Sequence, residues 1–125
     1  MVVKKVALRV RKHVISFKAA FAGIFYAFKS QPNFTIHLAA VGVVLFLAFY
    51  LKVTTIEFII LVFTIVLVLV AEMINTSVES ITDLVTTEWR QQAKIAKDVS
   101  AGMVLVTAVG AVIIGLLIFV KYLIF

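Results

Sequence analysis

Three long apolar runs organise this chain, and the middle one ends in acidic residues rather than in a turn. Residues 34–51 carry no formal charge, and neither do residues 99–120. Between them lies the apolar run 58–71. About 20 residues of helix, rising about 1.5 Å each, cross a hydrocarbon core of about 30 Å. The pattern predicts three spanning helices, at 34–51, 56–83 and 98–122. Gln31, Pro32 and Asn33 break the chain before the first span. Pro32 suits the first helical turn, where its missing N–H costs nothing. Lys52, Thr54 and Thr55 form the turn to the second span. Residues 84–97 form a polar link containing Glu88, Trp89, Arg90, Gln91, Gln92 and Lys94.

Ahead of the spans, Phe17, Phe21, Ile24 and Phe28 recur at spacings of four, three and four, an apolar helical stripe. Lys18 and Lys29 stand off to the side, and Lys4, Lys5, Arg9, Arg11 and Lys12 precede it. No uninterrupted apolar core and no small-residue cleavage site follow these charges, which argues against a signal peptide. Residues 1–30 are instead expected to form a basic amphipathic helix on the membrane surface, aromatic side in the acyl boundary and lysines among the headgroups.

Composition agrees. Hydrophobic residues make up 64% of the 125 and charged ones only 14%, against about 25% charged in a soluble domain. Residues 1–125 therefore form one all-α integral membrane domain whose surface lipid or sister subunits must cover. The chain has no cysteine, which excludes disulfide and thiol chemistry. Two well-separated histidines argue against structural zinc. Seven lysines and arginines lie in residues 1–30 and three in the 84–97 link, whereas Lys52 and Lys121 alone lie on the other side. This asymmetry places the N-terminus and the link in the cytoplasm. The net charge of +6 then fits anionic headgroups and a polyanionic substrate better than nucleic acid.

The candidate chemistry lies at the end of the middle run. Glu72, Asn75, Glu79 and Asp83 follow one another at spacings of three, four and four. That spacing confines them to an arc of about 80° on one helix face. Ionisable groups at membrane depth are costly and usually functional. The stripe starts roughly mid-membrane at Glu72 and descends to the cytoplasmic surface at Asp83. Glu72, the deepest, is the best general-base candidate. Glu79, two turns on, is better placed for a magnesium ion arriving on a nucleotide, because magnesium takes one or two carboxylates and completes its shell with phosphate and water. Asn75 lies between them and can both donate and accept. Asp83 can hold water, a basic side chain or a nucleotide group.

Lys94, Lys97 and Asp98 form a second cluster. Lys97 and Asp98 fall at the expected start of the third span, where free N–H groups and the helix dipole favour a phosphate. Stripe and cluster together resemble a phosphoryl-transfer site. Two other readings compete: a polar stripe that glues a helix bundle, and a proton- or cation-conducting oligomer, which would leave the lysine cluster without a task. His37 reads as a hydrogen-bonded interface residue. Ala108, Ala111 and Gly115 read as a close helix contact.

The string Glu72-Met-Ile-Asn75-Thr-Ser-Val-Glu79-Ser-Ile-Thr-Asp83, followed by Ala93-Lys94-Ile-Ala96-Lys97-Asp98, resembles the prokaryotic diacylglycerol kinase family over the length of the chain. Ala27-Phe28-Lys29-Ser30 leading into Asn33, Phe34 and His37 is closer to its undecaprenol kinase branch. The resemblance implies a homotrimer in the bacterial plasma membrane, with active sites shared between subunits. It implies ATP- and magnesium-dependent phosphorylation of a lipid alcohol, undecaprenol ahead of diacylglycerol. It makes Glu72 the base, Asn75 its assistant at the phosphoryl centre and Glu79 a metal ligand. Lys12, Glu79, Asp83, Lys97 and Asp98 become nucleotide contacts. Two positions depart from the family pattern. Gln31 stands where a second metal-binding glutamate is usual, and Lys12 where an arginine is. A catalytically impaired homologue is the reading that Gln31 alone motivates.

Overall fold

The computed structural model describes residues 16–125. The cationic positions Lys4, Lys5, Arg9, Arg11 and Lys12, and with them the first half of the expected surface helix, lie outside the described residues. The described elements are helices throughout: α1 (Phe17–Ser30), α2 (Pro32–Tyr50), α3 (Thr55–Val85) and α4 (Gln91–Ile124). The last three are long and apolar enough to cross a membrane.

Local chemistry sets each boundary. The Ser16 hydroxyl accepts from the Ala19 N–H at 3.4 Å and opens α1. Gln31 ends α1 and precedes α2 in an extended conformation, φ −117° and ψ 109°. A residue before proline is pushed out of the helical region, so Pro32 makes this corner. At the far end of α2, the N–H of Val53 reaches the Ala48 carbonyl and that of Lys52 the Phe49 carbonyl, a Schellman close. Lys52 occupies the left-handed position there, φ 53°. Thr54 and Glu57 then form a capping box that starts α3.

The link between the last two spans is shorter than the sequence predicts. Residues 84–97 read as a polar connection, yet α4 begins at Gln91, leaving residues 86–90 to turn the chain. Residues 91–97 contain neither glycine nor proline and are mostly good helix formers, so the spanning helix extends into them. Lys97 and Asp98 therefore lie two turns inside α4 rather than at its start, and its free N–H groups belong to residues 91–93. The helix-start phosphate site falls away with that shift.

Packing is asymmetric. The most extensive pairing is between α3 and α4, with α2 laid more lightly against α3. Ala48, Leu61, Ile118 and Phe119 form a small apolar cluster where the three helices meet. At the same end, the Glu57 carboxylate ties α3 to α4. It accepts from the Tyr122 hydroxyl at 2.6 Å and pairs with Lys121, while also accepting from the Thr54 N–H at 2.9 Å. Most other large apolar side chains, Phe46, Phe63 and Leu117 among them, face outward. Such a surface suits lipid or other copies of the chain and cannot face water. Leu61→Ala is expected to lower stability by about 2 kcal/mol in detergent unfolding. This is the lower end for large-to-small substitutions, because lipid competes for the apolar surface that water would reject.

Candidate active site

The face of α3 predicted to be polar is graded in depth. Glu72 is wholly buried and Asn75 nearly so, Glu79 is half-buried, and Asp83 is exposed. The 3–4–4 spacing keeps them in line, and the neighbouring helices close progressively over the end nearer the core.

Glu72 is the anomaly. Neither carboxylate oxygen has a hydrogen-bond partner among the described residues. His37 Nε2, from α2, stands 4.0 Å from Oε2, beyond hydrogen-bond reach. A buried carboxylate without partners is among the costliest arrangements a fold tolerates. Both side chains line a cavity of about 310 Å³, which Asn33, Asn75, Ala101 and Leu105 also border.

Around Asn75 the opposite holds, and both ends of its amide are engaged. Ser100 of α4 donates to Asn75 Oδ1 at 2.7 Å. Asn75 Nδ2 donates to Glu79 Oε1 at 3.1 Å, and Gln31 Nε2 donates to Glu79 Oε2 at 3.3 Å. The extended backbone before Pro32 turns the Gln31 side chain onto this carboxylate. Gln31 and Glu79, 48 residues apart, are thus direct neighbours, the relation the resemblance implies for the family's two acidic positions.

Nearer the link, Lys97 Nζ donates to Asp83 Oδ1 at 2.5 Å, and Lys94 pairs with Asp98 one turn away. These four, with Arg90 and Trp89, border an open cavity of about 430 Å³. The site residues thus fall into two groups along one face of α3: Glu72, Asn75, Glu79 and Gln31 in the deeper part, Asp83, Lys97 and Asp98 in the shallower. Lys12 lies outside the described residues. Both lysines are neutralised within this chain, so a polyanion entering the shallow cavity must compete with Asp83 and Asp98.

Among the described residues, no three histidine or acidic side chains gather to hold a metal. The donors fit magnesium only as an ion shared with phosphate oxygens, Glu79 giving the carboxylate and Gln31 an amide oxygen on turning over. When bound, such an ion would neutralise charge on a transferring phosphoryl group.

The sequence did not point to Ser100, and it reads His37 as a hydrogen-bonded interface residue, whereas the Nε2 of His37 faces Glu72 from 4.0 Å without a hydrogen bond. Ser100 follows Lys97 by three residues, which puts it on the same face of α4, but one serine among apolar residues reads as packing. His37 carried a stronger signal, as the one ionisable residue in the first span.

A family model described as prokaryotic diacylglycerol kinase matches residues 18–119. The chain is similar to a diacylglycerol kinase of Synechocystis sp., 43% identical over 103 residues, which are 82% of this chain and 59% of that protein. It is also similar to an undecaprenol kinase of Bacillus subtilis, 40% identical over 104 residues, which are 83% of this chain and 85% of the relative. A diacylglycerol kinase of Haemophilus influenzae is 32% identical over 110 residues, 86% of this chain and 93% of the relative. The match spans less than two thirds of the cyanobacterial protein and most of the other two.

Proposed function

Because the chain belongs to the prokaryotic diacylglycerol kinase family, we propose that it is a lipid kinase that moves the γ-phosphoryl group of ATP to the terminal hydroxyl of undecaprenol, giving undecaprenyl phosphate. The observation that carries this reading is Glu72, a buried carboxylate with two unpartnered oxygens at the edge of a cavity. A group in that state is a poor structural element and a good proton acceptor. Glu72 takes the proton from the lipid hydroxyl as its oxygen bonds to the γ-phosphorus. The bond between that phosphorus and the bridging oxygen breaks, and ADP leaves with the electron pair.

Position supports this. Glu72 follows Thr55 by 17 residues, about 26 Å of helix. With Thr55 at one edge of a hydrocarbon core of about 30 Å, Glu72 lies near the opposite edge, shallower than the mid-membrane depth that the sequence suggests. A lipid alcohol keeps its hydroxyl at such an edge. Asp83, Lys97 and Asp98 lie closer still to the aqueous side and receive the nucleotide, and Glu79 would hold a magnesium ion arriving with it. The protein then sits in the bacterial plasma membrane with its N-terminus and the 86–90 link in the cytoplasm, as a homotrimer with shared sites.

One observation favours diacylglycerol as the acceptor, giving phosphatidic acid. The relative with 43% identity is named for it, against 40% for the undecaprenol kinase. The undecaprenol kinase is matched over 85% of its own length, against 59% for the other, which keeps undecaprenol first. Purified protein in vesicles with labelled ATP and magnesium is expected to label undecaprenol faster than diacylglycerol. The reverse order reassigns the acceptor. No label in either lipid removes the kinase reading in favour of an impaired or ion-conducting oligomer.

A further inference from the structure

We propose that Ser100 is a positioning residue whose hydroxyl, by donating to Oδ1, holds the Asn75 amide in place with its nitrogen on Glu79. The inference deepens the kinase reading and rests on its assignment of Asn75 and Glu79 to the phosphoryl centre. An asparagine amide has a donor end and an acceptor end of nearly equal size, and packing alone does not choose between them. Both ends of Asn75 are buried and engaged. Nδ2 donates to Glu79 Oε1 at 3.1 Å, and Oδ1 accepts from Ser100 at 2.7 Å. A carboxylate only accepts, so the amide nitrogen belongs on Glu79, and the oxygen then needs a donor on its other side. Among the described residues Ser100 is that donor.

A serine within a helix ordinarily satisfies itself on a carbonyl one turn back. That alternative exists here, because the Lys97 carbonyl is 3.0 Å from the same hydroxyl. The 2.7 Å separation from Asn75 is the shorter, and the residue is 5% exposed, which leaves little access for a competing water. With Asn75 held, Glu79 Oε1 is occupied by a fixed donor. Its Oε2 accepts from the Gln31 amide at the α1–α2 corner and becomes open to a cation when that amide turns over. Removing the Ser100 hydroxyl leaves Asn75 Oδ1 buried without its donor and loosens the amide that donates to Glu79.

The test reads the amide itself. In nitrogen-15-labelled protein in micelles, the side-chain NH₂ pair of Asn75 is identified by its loss in Asn75→Asp. Ser100→Ala is expected to shift this pair and speed its hydrogen exchange about tenfold, and Ser100→Thr to keep it near its original place. In the lipid kinase assay, Ser100→Ala is expected to lower kcat about tenfold, as loss of a supporting hydrogen bond typically does, with the lipid KM unchanged and more magnesium needed for half-maximal rate. Ser100→Thr recovers most of that loss. An unmoved Asn75 pair in Ser100→Ala overturns the proposal. So does a rate loss that merely follows the folded fraction, or a threonine variant no better than alanine. If the unmodified protein transfers no phosphate, the kinase reading fails, and the amide spectrum alone still decides the role of Ser100.

Discussion

Glu72→Gln is expected to slow lipid phosphorylation about 10³-fold while raising the temperature at which the protein unfolds. Glutamine matches the size of glutamate and keeps its contacts, but a neutral amide cannot take the acceptor's proton. The stability gain follows from burial. The Glu72 carboxylate has neither a hydrogen bond nor a cation within bonding distance among the described residues, and a neutral group at that depth costs less. Labelled phosphate transfer and thermal unfolding of the same preparation separate the two effects. A variant that loses rate and melting temperature together would make Glu72 a packing residue and remove it from the chemistry.

The second large effect concerns the carboxylate whose expected partner is an amide. Glu79→Gln is expected to reduce transfer about 10²-fold and to abolish any rise in melting temperature on adding magnesium. Gln31→Glu is the complementary change. It would set two carboxylates where a 3.3 Å hydrogen bond now stands. Like charges so close repel, so without divalent cation this variant should melt below the unmodified protein. With magnesium it should melt above it and reach half-maximal rate at about tenfold less metal. Unfolding curves with and without magnesium check both variants. Identical metal responses in Gln31→Glu and the unmodified protein would show that residue 31 takes no part in cation binding.

What the sequence made legible was whatever depends on spacing within one helix. The charge-free runs located three spans, and the 3–4–4 spacing put Glu72, Asn75, Glu79 and Asp83 on one face of α3 in their observed order of burial. Features that depend on two helices meeting were not legible. Nothing in the pattern of α4 announces that Ser100 opposes Asn75, since one serine in an apolar helix is as well explained by close packing. The pairing of Gln31 with Glu79 was reachable only through family resemblance, because 48 residues and two helix ends separate them. The start of α4 was misplaced for another reason. Polarity marks where a helix leaves the hydrocarbon, not where it ends, and residues 91–97 are polar and helical together.

The contacts of Glu57 with Tyr122 and Lys121 have a mechanical consequence. The α3–α4 pair is joined by five residues of chain at one end and pinned by these side chains at the other, which makes it a closed hoop. A hoop fastened at both ends resists splaying, so α3 and α4 keep their mutual register and with it the alignment of Ser100 with Asn75 and of Lys97 with Asp83. By contrast α2 is packed more lightly on α3, and it carries His37 at the rim of the Glu72 cavity.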